Sequence, residues 1–152
     1  MIRRYVLLLS MCAVAATAAE QRVLPTGLAL DPAAPAHKVG SFPLAIAMAP
    51  EGDRAAVLLC GWREQGVQIV DTATGAVTQT LTQPAAFIGL AFSPDGTMLY
   101  ASGGNEDAIY LYRWSARQAT EAGKITLKVK PDPKKSGTSY PAGIAISPDG
   151  RY

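Results

Sequence analysis

Short apolar runs alternate with polar turns along most of the chain, and one such pattern occurs three times. Each copy is a run of small and apolar residues that leads into a turn sequence ending in glycine; the copies are Pro43–Gly52, Phe87–Gly96 and Pro141–Gly150. The glycine-to-glycine spacings are 44 and 54 residues. A period in the forties with short β-like runs is typical of β-propeller blades. The pattern therefore predicts an all-β fold of four-stranded antiparallel blades.

The turn that closes each copy has its own physical logic, seen in Ser93-Pro94-Asp95-Gly96. Proline presets the backbone angle φ of the first central residue, aspartate bonds back to the backbone, and glycine takes the left-handed position. The acidic residues of the three turns could also be considered as metal ligands. They occur once per repeat on separate turns, so the sequence predicts turn residues and no metal site; they are Glu51, Asp95 and Asp149.

Alternation of apolar and polar residues predicts three further strands in each of the first two blades. In the first blade these strands are 55–59, 66–70 and 76–81, and in the second they are 98–101, 108–113 and 124–130. The run 124–130 alternates most regularly, with Ile125, Leu127 and Val129 on one face, so its register is predicted to be the best defined. The polar stretches 114–123 and 131–140 are predicted to be loops.

The N-terminus has the pattern of a secretory signal peptide, with Arg3 and Arg4, a short apolar run, and small residues before Glu20. Cleavage is predicted after Ala18, which leaves a lead-in segment, 19–42, and a propeller segment, 43–152. That segment divides into a blade at 43–82, a blade at 87–130 and the start of a third at 141–152. Two blades and one strand cannot close a ring, so the sequence predicts an incomplete fragment of a larger propeller.

Composition and charge narrow the class of protein. Hydrophobic residues make up 49% of the chain and charged residues 17%, which excludes a disordered polar tail. The formal charge is +2, but Arg3 and Arg4 belong to the predicted signal peptide, so the exported chain is neutral. We therefore expect no nucleic-acid partner and no stable membrane insertion after signal cleavage. The expected location is periplasmic or secreted.

The sequence contains few residues that could act in catalysis or bind a cofactor. Cys60 is the only cysteine after the predicted cleavage, and His37 is the only histidine, so no disulfide, catalytic residue or cofactor is predicted. The up-and-down order of the strands places the loops between second and third strands, and the links between blades, at one end. Polar and aromatic side chains on those loops are the candidate ligand- or partner-binding residues: Trp62, Arg63, Glu64, Asn105, Glu106, Asp107 and Tyr140.

The sequence resembles known families in two ways. The segment Val67–Val77, together with Ser93–Gly96 and Leu99–Ser102, resembles the YVTN-type β-propeller repeats, relatives of the seven-bladed lactonase-like propellers. Leu24–Gly27 and the segment Phe87–Gly104 are similar to the propeller half of bacterial proteins that fuse a propeller to an alkaline-phosphatase-like phosphoesterase domain. The first resemblance implies a propeller architecture, and the second implies a longer parent chain.

Three functions follow from these observations as alternatives. The first is a noncatalytic extracytoplasmic scaffold that binds a protein or a small ligand on its loops. The second is the propeller portion of a larger phosphoesterase, whose metal-binding catalytic residues would lie in other sequence. The third is a lactonase-like hydrolase, whose catalytic groups would come from other blades.

Overall fold

The computed structural model describes residues 23–29, 35–132 and 134–152. They belong to two units, which divide between Ala36 and His37. In the first unit, Val23 and Ala29 form an isolated antiparallel bridge, and the Leu24 N–H donates to the Leu28 carbonyl at 2.8 Å. The predicted signal peptide, 1–18, lies outside the described residues.

The second unit contains two four-stranded antiparallel sheets, each with its strands in sequence order. The first sheet consists of β1 (Pro43–Met48), β2 (Arg54–Cys60), β3 (Gln65–Asp71) and β4 (Val77–Thr82). The second consists of β5 (Leu90–Phe92), β6 (Met98–Ser102), β7 (Ala108–Ser115) and β8 (Gln118–Thr126). A 3-10 helix, Gly104–Glu106, lies between β6 and β7. The prediction of an all-β fold with four-stranded antiparallel sheets is confirmed.

The repeated turn adopts one conformation in all three copies. In each, the glycine N–H donates to the carbonyl three residues earlier, at 2.9, 2.9 and 2.8 Å. The glycine φ angles are 77°, 71° and 68° for Gly52, Gly96 and Gly150. These values lie in the left-handed region, where glycine has no Cβ to clash. The predicted role of the turn residues is confirmed at the level of the backbone.

The fourth strand of the second blade exists, but its predicted bounds, 124–130, are wrong. The structure places β8 at Gln118–Thr126, six residues earlier than the predicted start, and residues 127–130 lie outside it. A two-residue turn at Ala116 and Arg117, with φ values of 50° and 63°, joins β7 to β8. Two successive positive φ angles match the twist of paired strands, so this turn allows a tight hairpin. The predicted loop 114–123 is therefore mostly strand.

The third copy, Pro141–Gly150, forms the turn but no strand in the structure. Its apolar run lies beside the second sheet, since a Cβ placed on Gly89 would come within 2.7 Å of the Ile144 side chain. The Ser147 N–H donates to the Tyr152 carbonyl at 2.6 Å, which is the pairing that closes the turn. A β-strand requires several consecutive backbone hydrogen bonds to a neighbouring strand. Among the described residues, the third copy forms this one pair across its turn, so it is not a strand.

The hydrophobic core lies between the two sheets. It is formed by the alternate residues of the facing strands, which are Ala56, Leu58, Val67 and Ile69 in the first sheet and Leu99, Ala101, Tyr110, Tyr112, Trp114 and Ala119 in the second. Burial removes this apolar area from water and supplies the main driving force for packing the sheets together.

Polar contacts also cross the interface between the sheets, and the most buried of the backbone partners is Ala119. The Gln79 side chain on β4 donates from Nε2 to the Ala119 carbonyl at 2.7 Å, and the Ala119 N–H donates to Gln79 Oε1 at 2.9 Å. Ala119 is 2% exposed, so its backbone groups have no access to bulk water. The amide of Gln79 thus supplies both partners that the buried backbone requires.

The described part of the chain contains no helix long and apolar enough to cross a membrane.

Candidate functional site

In each sheet, successive connections between strands lie alternately at the two ends of the sheet. The repeated turns and the β3–β4 and β7–β8 hairpins lie at one end, here named the turn end. The β2–β3 loop, the β6–β7 loop and the links that follow β4 and β8 lie at the other, here named the loop end. All seven candidate binding residues belong to loop-end segments.

The β2–β3 loop presents two exposed candidates, Trp62 and Arg63. The Gly61 N–H donates to the Glu64 carbonyl at 3.0 Å, which closes the loop tightly. Gly61 is buried, and a Cβ there would come within 2.6 Å of the Ser41 side chain, so this position requires glycine. The Trp62 side chain is 97% exposed, and Arg63 beside it is also exposed. This loop, closed by its own backbone bond, thus holds a large aromatic side chain and a guanidinium in solvent.

Glu64 is turned toward the body of the first sheet. Its carboxylate lies against Gly40, and its Oε1 accepts a long hydrogen bond of 3.5 Å from Gln68 Nε2. Gln68 is 6% exposed; its Oε1 accepts from the Gly40 N–H at 2.8 Å, and its Nε2 also donates to Thr80 Oγ1 at 3.3 Å. Glu64 and Gln68 therefore hold the segment before β1 against the sheet.

Asp107 anchors the link that follows β8. Its side chain is among the largest that are fully buried, at 1% exposure, and its φ of 50° is left-handed. The carboxylate accepts three backbone N–H bonds, from Thr138 at 2.7 Å and from Ser139 and Tyr140 at 2.8 Å each. Burial acts to raise the pKa of Asp107, but these three bonds outweigh it and hold the pKa below its usual value. The residue is therefore an ionised loop anchor.

Asn105 and Glu106 complete this anchor. The Asn105 side-chain oxygen accepts from the Gly137 N–H at 2.9 Å, and its backbone carbonyl accepts from the same group at 3.0 Å. Glu106 forms an ion pair with Lys130 at 2.6 Å, with the lysine side chain 11% exposed. Both residues thus hold the link 127–140 on the β6–β7 loop.

Tyr140 lies at the end of the same link. Its ring packs edge-to-face on Phe87, with centroids 5.1 Å apart, and the residue remains 44% exposed. The structure thus brings Asn105, Asp107 and Tyr140 together through residues 137–140. Trp62 and Arg63 stand on a separate loop at the same end.

The sequence analysis did not predict the structural roles of two glutamines, Gln68 and Gln79. Gln68 and Gln79 each bond to backbone groups of a distant segment, 28 and 40 residues away. A glutamine on a strand carries no local signal for such a contact, because its partner is set by packing alone.

Cys60 is the only cysteine among the described residues. The Cys60 thiol donates to the Ala86 carbonyl at 3.0 Å, and burial raises its pKa, which favours the neutral thiol. Within residues 23–29, 35–132 and 134–152, no three His, Cys, Asp or Glu side chains are grouped so that they could hold a metal ion.

Comparisons with known proteins concern the fold. No protein-family model and no curated protein matches the chain. Among solved structures, it is similar to hydrazine synthase of Kuenenia stuttgartiensis, with a TM-score of 0.55 and 24% identity over 80% of this chain and 31% of that one. It is also similar to a chain of the mitotic checkpoint complex, with a TM-score of 0.53 and 21% identity over 70% of this chain and 30% of that one.

The chain thus spans about a third of the length of each of these structures. At such identities the likeness is one of fold. Both matches are to β-propeller-containing structures. Together with the two four-stranded sheets, they identify the chain as an all-β protein with a propeller-like arrangement of antiparallel sheets.

Proposed function

We propose that this chain is part of an exported YVTN-type β-propeller that acts as a noncatalytic scaffold and binds a protein partner through its loop end. The family and the export rest on the sequence: the three repeats, the Val67–Val77 segment and the signal-peptide pattern. The propeller-like fold supports this proposal but does not by itself distinguish among functions.

The single observation that carries the binding proposal is the state of Trp62. A tryptophan that is 97% exposed on a loop closed by its own backbone bond is pre-organised for contact with another molecule. Arg63 beside it adds a planar donor group. Tryptophan and arginine are enriched among the residues that dominate protein–protein binding energies. The other candidates at this end serve mainly to hold the loops, so we assign recognition to Trp62 and Arg63.

Site-specific photo-crosslinking in the producing cell tests the proposal. A benzoyl-phenylalanine at position 62 should give a discrete crosslinked product, whereas the same group at the exposed turn-end position Ala73 should not. The captured protein is then purified and titrated against variants of the chain. Trp62→Ala should weaken binding at least about tenfold, and the exposed turn-end control Gln118→Ala should change it less than about twofold.

Stability measurements separate loss of binding from loss of fold. Because Trp62 is almost fully exposed, Trp62→Ala should leave the free energy of unfolding within about 0.5 kcal/mol of the wild-type value. Crosslinking from position 73 alone, or unchanged binding by both Trp62→Ala and Arg63→Ala, would overturn the assignment of recognition to this loop.

A further inference from the structure

Two buried side chains, Gln83 and Tyr110, carry polar atoms that have no hydrogen-bond partner among the described residues. Gln83, which follows β4, is 3% exposed, and Tyr110 on β7 is 6% exposed. The atoms without a partner are both amide atoms of Gln83, Nε2 and Oε1, and the Tyr110 hydroxyl oxygen. Buried polar groups of folded proteins nearly always have a partner, either in the protein or in ordered water.

The alternation of side chains along β4 directs Gln83 into the interface between the sheets. The Gln79 amide bonds to Ala119 of the second sheet, and Leu81 packs against the core. The Gln83 N–H continues the pairing of this strand with β3, because it donates to the Gln65 carbonyl at 2.9 Å. Side chains two residues apart on a strand point to the same face. Gln83 therefore points toward the second sheet, as Gln79 does.

The register of the second sheet places Tyr110 beside Gln83. Ala119, which Gln79 contacts, pairs with Trp114 on β7. Tyr110 lies four residues from Trp114 in the direction of the loop end, and Gln83 lies four residues from Gln79 in the same direction. Both residues therefore lie at the loop end of the interface.

The Tyr112 hydroxyl is also close to the Gln83 amide. The pKa of Tyr112 is raised, first by burial and then by the charges of Glu121 and Tyr110, while the Gln83 amide acts to lower it. The amide can act in this way only from nearby, although it lacks the geometry of a direct hydrogen bond. The loop end of the interface thus collects one amide and two hydroxyl groups between apolar walls.

The two glutamines that face the second sheet differ in how their amides are satisfied. Gln79 uses both amide atoms on the backbone of Ala119, whereas Gln83 uses neither on the protein. An amide offers two donors and an acceptor, and a tyrosine hydroxyl can donate and accept. A water molecule makes two to four hydrogen bonds and can act as donor and acceptor at once, so it matches this set of groups. Burial of both side chains limits the ligand to this size.

We propose that the interface between the sheets binds internal water at its loop end, where the water bridges the Gln83 amide and the Tyr110 hydroxyl. At the turn end the backbone of Ala119 satisfies a glutamine of the first sheet, and at the loop end water does so. This site lies inside the interface, so it does not depend on partner binding by Trp62.

Oxygen-17 magnetic relaxation dispersion of the full chain tests the proposal. The method detects water that stays bound for longer than the chain takes to tumble, and exchange of tyrosine hydroxyl protons does not contribute to it. The dispersion amplitude of Gln83→Met should be lower than that of the wild type by the contribution of at least one water per chain. Gln118→Met is the matched control, because it makes the same chemical change at an exposed position, and its amplitude should equal that of the wild type.

Urea denaturation supplies a second test, because the two interpretations predict opposite signs. If water bridges the groups, Gln83→Met and Tyr110→Phe should each lower the urea midpoint by about 0.5–1 M. The double variant should lower it by less than the sum, because both changes remove the same bridge. Tyr110→Phe removes a single oxygen atom, so it keeps both tests available where Gln83→Met fails to fold. A midpoint that rises in either single variant, or a dispersion amplitude that stays at the wild-type value in both, would overturn the proposal.

Discussion

Replacement of Gln79 by methionine gives a direct measure of how strongly the two sheets are held together. The substitution keeps the length and approximate volume of the side chain but removes the bonds to both backbone groups of Ala119. Ala119 is 2% exposed, so neither group can turn to water without local opening. Each bond contributes about 0.5–1.5 kcal/mol net, and a buried backbone group without a partner costs about 1–3 kcal/mol. We therefore expect Gln79→Met to destabilise the chain by about 2–4 kcal/mol.

Urea denaturation followed by tryptophan fluorescence measures this change. Trp114 is 4% exposed and Trp62 is 97% exposed, so the change in emission on unfolding reports mainly on Trp114 between the sheets. With a denaturant slope of about 1.5–2 kcal/mol per molar urea, the midpoint should fall by about 1–2 M. The matched control is Gln118→Met, which makes the same chemical change at the exposed neighbour of Ala119 and should shift stability by less than about 0.5 kcal/mol.

A second substitution sharpens the interpretation. Gln79→Glu keeps an acceptor for the Ala119 N–H. It also places a carboxylate against the Ala119 carbonyl, and an ionised carboxylate has no proton to donate to that oxygen. It should destabilise the chain at neutral pH at least as much as Gln79→Met. If Gln79→Met and Gln118→Met both remain within about 0.5 kcal/mol of the wild type, the bridge contributes nothing measurable and the reasoning is refuted.

Three further predictions test the leader, the loop anchor and the repeated turn. N-terminal sequencing of exported protein should begin at Ala19 or Glu20, and an uncleaved N-terminus would contradict the signal-peptide prediction. Because the pKa of Asp107 is lower in the folded chain than its ordinary value, ionised Asp107 stabilises the fold above the ordinary titration range of aspartate. The free energy of unfolding should therefore fall as the pH drops from about 5 through the lowered pKa of the folded state. Asp107→Asn should flatten this dependence in acid denaturation curves. Gly52→Ala should lower the free energy of unfolding by about 1–2 kcal/mol, because its backbone is left-handed. Gly96→Ala should lower it more, because the added Cβ would also come within 2.6 Å of the Pro50 ring. Equal melting temperatures of the two variants would argue against this contact.

Local chemistry alone determined much of the strand pattern. In the first sheet, the predicted second, third and fourth strands agree with the observed ones to within one residue at each end. The repeated turn is equally local, because proline, aspartate and glycine set its backbone angles and hydrogen bonds within four residues. Such features need no distant partner, so a single sequence is sufficient to predict them.

The position of β8 was decided by tertiary structure. The alternation at 124–130 predicts a strand there, but the hairpin at Ala116 and Arg117 pairs Gln118–Thr126 with β7 instead. Neither turn residue is glycine or asparagine, so the turn carried no recognisable signal. Pairing with β7 buries Ala119 between the sheets and lets Gln79 satisfy its backbone, and these contacts outweigh the local alternation.

At the loop end, too, the sequence predicted some features and the tertiary structure decided others. Its candidates were found from strand order, since polar loops beside a rigid sheet follow from the succession of strands and turns. Only the folded chain distinguishes Asp107, whose carboxylate is buried against three N–H groups, from Trp62, which stands in solvent. Loop composition is similar in both cases. The difference arises because residues 137–140 fold back onto the β6–β7 loop, and a contact between segments more than 30 residues apart is set by packing of the whole unit rather than by neighbours in the sequence.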